Sequence, residues 1–99
     1  MSENHYAIAN SQAVADQLRN AVQIARTLGV FVQVARAARW ILHELTHNPS
    51  SFGESREVLP VLEFALRIGF AGPLYVVFGI HEPTRTVFVR KIGFSKRNS

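Results

Sequence analysis

The sequence predicts an α+β domain in which two consecutive helices precede antiparallel strands. Apolar residues recur with a helical period over residues 12–47 and at every second position after residue 62. A polar, turn-rich segment at residues 48–56 separates the two patterns. Ninety-nine residues suffice for one hydrophobic core but not for two, so we expect a single domain over residues 1–99.

A short strand at residues 5–9 is predicted ahead of the first helix. Ser11 is a suitable N-cap for that helix, and Gly29 a suitable residue to end it. Its apolar stripe comprises Val14, Leu18, Ala21, Ala25 and Leu28. The first helix is therefore expected to cover one side of the core along its whole length.

The second helix is predicted from Val30 to His47, where Asn48-Pro49 ends it. Its apolar stripe comprises Phe31, Val34, Ala38, Ile41, Leu42 and Leu45. Because almost no loop separates the two helices, they are expected to form an antiparallel hairpin. Residues 48–56 are interpreted as a link without regular structure.

Three strands are predicted at residues 63–70, 74–81 and 86–94. Short turns join them, so they should form an antiparallel meander with one face under the helices. In the first strand we expect the large residues, Phe64, Leu66, Ile68 and Phe70, to face the core. Arg67, Tyr75 and one of Arg90 or Lys91 would then lie on the open face of a four-stranded, mostly antiparallel sheet.

The charge distribution indicates an anionic partner or a solvated basic end. The net charge is +4, and after the last acid, Glu82, come Arg85, Arg90, Lys91, Lys96 and Arg97. There is no cysteine, which excludes disulfides, thiol nucleophiles and cysteine zinc sites. No signal peptide is evident, and no apolar run approaches the roughly 20 residues of a membrane span. We therefore expect a cytoplasmic protein without a membrane partner.

Residues His43 and His47 lie within a literal H-E-x-x-H sequence, HELTH. On a helix such a pair can bind zinc, with Glu44 as general base, so a small zinc metallopeptidase is one hypothesis. Both histidines, however, are predicted opposite the apolar stripe, beside Arg36 and Arg39, whose charges oppose a dication. No third ligand stands at a diagnostic spacing. The preferred interpretation is an exposed helix face that binds neither metal nor any other cofactor.

A series of residues across positions 35–94 resembles the RelE/ParE superfamily of type II toxin–antitoxin toxins, which includes plasmid-stabilisation proteins. The series begins with Leu45, Asn48-Pro49 and Gly53. It continues through Leu74, Val76, Phe78, Ile80, the turn at Glu82, and then Arg85, Val87 and Val89. The resemblance implies the order strand, helix, helix, meander. It also implies a cognate antitoxin as partner.

Two activities follow from the resemblance. RelE-like members cut messenger RNA in the ribosomal A site without a metal, and ParE-like members poison DNA gyrase. For the first activity the resemblance suggests Arg67, Arg90 and Lys91 as catalytic residues. It suggests Tyr75, His81, Arg85, Lys96 and Arg97 as nucleic-acid-binding residues, because cations bind phosphate and aromatic rings stack on bases.

The sequence also departs from the RelE-like pattern. Leu74-Tyr75 stands where the nucleases carry an arginine, and Lys96-Arg97 lies two positions later than the usual basic pair. The family's C-terminal tyrosine has no counterpart. A catalytically silent module that binds protein or RNA therefore remains an alternative to an active toxin.

Overall fold

A computed structural model describes residues 5–95 of the protein. Its helices and strands, in chain order, are β1 (Ala7–Ala9), α1 (Gln12–Leu28), α2 (Phe31–His47), β2 (Glu54–Leu59), β3 (Phe64–Ala71), β4 (Leu74–His81) and β5 (Thr86–Phe94). Single 3₁₀ turns at Pro60–Leu62 and Glu82–Thr84 connect β2 to β3 and β4 to β5. The α+β class with two helices is confirmed.

Both helices lie where the periodicity places them. The Ser11 hydroxyl accepts a hydrogen bond from the Val14 N–H at 3.2 Å, as expected of an N-cap. Gly29 adopts the left-handed conformation with φ 76°, and the Val30 N–H reaches back to the Ala25 carbonyl at 2.8 Å. This capping ends α1 and lets α2 begin at Phe31 with almost no loop.

The sheet has five strands, not four, in the order β1-β5-β4-β3-β2. β1 pairs with β5 in parallel. The other neighbours, β2 with β3, β3 with β4 and β4 with β5, pair antiparallel. The three predicted antiparallel strands are present as β3, β4 and β5, but a fourth, β2, precedes them, so the prediction of a link without regular structure is wrong for residues 54–56. β2 is an edge strand whose residues Glu54 to Val58 are all exposed, so it has no apolar alternation to detect.

The hydrophobic core lies between the helices and one face of the sheet. It is formed by Val14, Ala21, Ala25, Val34, Ala37, Ile41, Leu45, Phe52, Ala71, Leu74, Val76, Phe78, Ile80, Val87 and Ile92. Two residues of the predicted helical stripes, Leu18 and Ala38, are partly buried and pack against this core, and three more lie outside it. Leu28 is 65% exposed, Phe31 40% and Leu42 56%, because each sits at the margin of its stripe or at a helix end.

β3 presents the opposite face from the one predicted. Residues paired across an antiparallel ladder share a face, and Arg67 pairs with the buried Phe78, while Gly69 pairs with the buried Val76. The helix side of β3 therefore carries its small residues and Arg67. Its large residues, Phe64, Leu66, Ile68 and Phe70, point away from the helices.

The reason for this orientation is the packing of Phe52. Its ring stacks on Phe78 with centroids 5.9 Å apart and lies directly on Gly69, where any Cβ would overlap it. Gly53 follows with φ 76°, and a Cβ there would overlap the backbone of Ile68. At Gly69 the helix side of β3 has no room for a larger side chain, so the large residues of the strand lie on the other face.

A β-bulge interrupts the pairing of β4 with β5. Val77 pairs with Lys91 and Phe78 with Val89, which leaves Arg90 as the extra residue. The side-chain oxygen of Gln17 in α1 accepts a hydrogen bond from the Ile92 N–H at 3.0 Å. The irregular stretch of β5 is thus tied to α1.

Gly53 and Gly29 share a φ of 76° and differ in their surroundings, which gives a matched pair of variants. Gly29→Ala meets nothing within 4 Å, so it should cost only the left-handed strain, about 1 kcal/mol. Gly53→Ala adds a steric overlap with backbone and should cost about 1–3 kcal/mol more. Urea unfolding of both variants measures the difference. Equal losses would contradict the close approach at Gly53.

Candidate functional site

The face of the sheet that points away from the helices, which we call the open face, is largely apolar. Cross-strand pairing places on it the apolar and aromatic residues Leu59, Phe64, Leu66, Ile68, Phe70, Tyr75, Val77 and Phe88, with Glu54, Glu57, His81, Thr86 and Lys91 as its polar members. Its apolar residues are partly buried by one another, and Phe88 is 39% exposed. A contiguous apolar surface of this kind on a small domain is typical of a contact site.

Aromatic rings give the open face its relief. The Phe64 ring covers Gly79, where a Cβ would overlap it, and meets Phe88 with centroids 6.0 Å apart. Tyr75 covers Gly93 in the same way, with its nearest ring atom 3.3 Å from where a Cβ would stand. The glycines thus leave room for these rings to lie over the strands, and the aromatic side chains form a platform.

Arg67, predicted as a catalytic residue on the open face, lies on the helix side. Its Nε donates to the Phe52 carbonyl at 3.0 Å, and its guanidinium donates to the Gly53 carbonyl at 2.8 Å. It also borders a cleft of about 520 Å³, but the cleft is lined by Glu63 and Glu82 as well. Two carboxylates beside it oppose a phosphate, so the position suits a structural arginine.

The other two predicted catalytic cations are separated from Arg67 by the sheet or by the bulge. Lys91 is on the open face, with its ammonium 6.0 Å from the centroid of Tyr75. Arg90 occupies the bulge and borders a shallow cavity beside Asn10 and Ser11. Arg67, Arg90 and Lys91 therefore occupy three different environments and do not converge on one phosphate-sized site.

The turn at residues 82–85 contacts the N-terminal strand. The Tyr6 hydroxyl donates to the Glu82 carboxylate, with distances of 2.9 and 3.0 Å to its two oxygens. The guanidinium of Arg85 lies over the Tyr6 ring, 4.3 Å from its centroid. Burial and the hydrogen bond to Glu82 raise the pKa of Tyr6 above its ordinary value of 10.0.

The remaining residues predicted to bind nucleic acid are dispersed. His81 Nδ1 is 2.8 Å from the Thr84 hydroxyl, within the same turn, so this ring nitrogen already has a hydrogen-bond partner. Cross-strand pairing places both His81, opposite Phe64, and Tyr75 on the open face, where Tyr75 lies beside Lys91. Lys96 and Arg97 lie outside the described residues.

The HELTH segment lies on the outer side of α2. His43 is exposed and His47 partly so, and their ring centroids are 4.7 Å apart. Trp40, 52% exposed, stacks on His43 at 5.6 Å, and His5 meets His47 at 4.8 Å. Within residues 5–95, no group of three or more His, Cys, Asp or Glu is placed to hold a metal ion. The histidines form part of a row of aromatic rings.

No protein-family model matches the chain, and no curated protein matches it. Among the described residues, neither helix is long and apolar enough to cross a membrane. Information on function therefore comes from the order of the helices and strands and from the open face. Sequence reasoning missed that face because it assigned the large residues of β3 to the core. The glycines at 53 and 69 were the available signal, since they mark close backbone approaches.

Replacing Arg67 should reduce stability. Arg67→Lys cannot donate to both carbonyls in the same geometry, and we expect a loss of about 1–2 kcal/mol in the free energy of unfolding. Lys91→Ala is the matched control, because Lys91 is an exposed cation on the other side of the sheet. Urea unfolding compares the two. An unchanged midpoint in Arg67→Lys would contradict a structural role.

Tyr6→Phe isolates the hydroxyl, since the phenyl ring can still lie under Arg85. Below pH 10 the variant should be less stable than wild type by at most about 1 kcal/mol, because the hydrogen bond is partly exposed. A group whose pKa is raised by folding stabilises the folded state at pH values below its unfolded-state pKa. This stabilisation is lost as the pH rises through the folded-state pKa. The difference should therefore shrink in urea titrations above pH 10. A pH-independent difference would exclude the linkage.

Proposed function

We propose that this chain is a RelE/ParE-like toxin of a type II toxin–antitoxin pair that acts as the ParE-like branch does, by binding a protein target. DNA gyrase is the first candidate target. Support for the family comes from the order strand, helix, helix and consecutive antiparallel strands, together with the residues from Leu45 to Val89 that resemble it.

We favour binding over RNA cleavage because the three predicted catalytic cations lie apart from one another. Cleavage through a 2′-hydroxyl needs several positive groups around one phosphate to stabilise the charge that develops. Here Arg67 is hydrogen-bonded to two backbone carbonyls, Arg90 lies in the bulge and Lys91 is on the open face. No pair of them shares a site suited to a phosphate.

The chemistry of the open face favours a protein over a nucleic acid. Affinity for RNA depends on multiple contacts from lysine and arginine to phosphates. The open face offers mainly apolar and aromatic side chains, with Lys91 beside Tyr75. Protein interfaces characteristically have aromatic residues at their centre and polar or charged residues around the rim. The same surface suits an apolar segment of the proposed antitoxin.

The test is induction of the protein in bacteria, with two readouts. Wild type should arrest growth, and the purified protein should inhibit DNA supercoiling by gyrase. Tyr75→Ala/Lys91→Ala should weaken both effects about tenfold or more, because it removes a ring and the cation beside it from the open face. The matched control is His43→Ala/His47→Ala on α2, which should leave both effects unchanged.

Each contrary result has a definite meaning. Normal growth with folded protein present would overturn the toxin proposal. Growth arrest with ribosome-bound messenger RNA cut and gyrase unaffected would overturn the binding mode and restore the RelE-like one. Loss of toxicity in the histidine variant, with zinc present in the purified protein in a 1:1 ratio, would support the metallopeptidase hypothesis instead.

A further inference from the structure

The open face combines an apolar centre with margins of opposite charge. Residues in the middle row of the sheet pair in the order Glu54, Ile68, Val77 and Lys91, one from each strand from β2 to β5. An acid therefore stands at the β2 edge and a base on β5, past the end of β1, with two apolar side chains between them. Glu54 and Lys91 are both exposed.

The neighbouring residues preserve this polarity. On the β2 side, Glu57 follows Glu54, and Arg56 at the irregular position offsets one of the two negative charges. On the β5 side, Arg90 stands beside Lys91 and no acid accompanies them. The β2 margin is therefore net negative and the β5 margin net positive.

We propose that a second copy of this chain covers the open face, with a two-fold axis that runs parallel to the strands between β3 and β4. Rotation about this axis leaves the position of each row along the strands unchanged and exchanges its β2 and β5 ends. Glu54 of one copy then faces Lys91 of the other, and Ile68 faces Val77. The contact is isologous, so each charge pair occurs twice.

The charges distinguish this axis from the alternative. A two-fold axis across the strands would place β2 on β2 and β5 on β5. The acids would then oppose acids, and Lys91 and Arg90 would oppose their own copies, which is unfavourable.

The side-chain sizes favour the same occupant. β3 places its small residues under the helices and its large ones, from Phe64 to Phe70, on the open face. The rings of Phe64 and Tyr75 lie over Gly79 and Gly93, which keeps them close to the strands and leaves a surface suited to another sheet. In the proposed toxin, such a dimer would cover the target-binding surface until dilution or a partner separates the copies.

Sedimentation equilibrium of the purified protein over a wide concentration range is the test. Wild type should pass from 11.1 kDa to about twice that mass as concentration rises. Lys91→Glu and Glu54→Lys should each raise the dissociation constant about tenfold or more, since like charges then face each other. The double variant Glu54→Lys/Lys91→Glu exchanges the charges and should return the dissociation constant to near the wild-type value.

Two further variants separate the surface from the fold. Ile68→Asp places a charge at the centre of the open face and should abolish dimerisation while leaving the circular dichroism spectrum unchanged. Glu57→Lys is the control, because its row brings it opposite Phe88 of the partner, so its effect should be much smaller than that of Glu54→Lys. A wild type that stays monomeric throughout would overturn the proposal. So would a dimer that survives Ile68→Asp, or a double variant as weak as the single ones. Because these readouts need no toxicity, they stand or fall independently of the proposed function.

Discussion

The contact between the Phe52 ring and Gly69 fixes the orientation of the sheet relative to the helices. Phe52 fills the space between Gly69 and Phe78, and Gly53 then turns the chain within backbone distance of Ile68. Arg67 completes the junction by donating to the carbonyls of residues 52 and 53. Once β3 presents Gly69 and Arg67 to this segment, strand alternation forces its four large residues to the opposite face. The apolar open face is thus a geometric consequence of how the chain leaves α2.

This constraint also separates the charged groups that a phosphate chemistry would need together. The arginine on β3 satisfies carbonyls next to Gly53 and cannot also face the platform of Phe64, Tyr75 and Phe88. The turn cations are engaged too, with Arg85 over Tyr6. The basic residues within residues 5–95 are therefore spread over the helices, the turns and both faces of the sheet.

Sequence reasoning succeeded where one signal decided the outcome and failed where two competed. The helices were predictable because Ser11 and Gly29 mark their boundaries and the apolar period is helical. β4 was predictable because only one of its faces is uniformly large and apolar. In β3 the alternation correctly gave two sets of residues, but hydropathy chose the wrong set for the core, because Phe52 leaves no room for a larger side chain at position 69. β2 exposes nearly all its residues and gave no pattern, and the bulge at Arg90 has no local signature. The exposed position of the HELTH histidines was predicted from the stripe of α2, and His43 is indeed exposed.

The parallel pairing of β1 with β5 joins the first element of the chain to the last. Ala7 pairs with Thr86 and Ile8 with Val87, and the Tyr6 N–H donates to the Thr46 carbonyl at 2.8 Å. β1 is synthesised before both helices. Its neighbour in the sheet, β5, is synthesised only some 75 residues later. Contacts of such separation form late and slow the folding of small domains. A nascent chain therefore cannot complete this edge of its sheet until β5 has been synthesised.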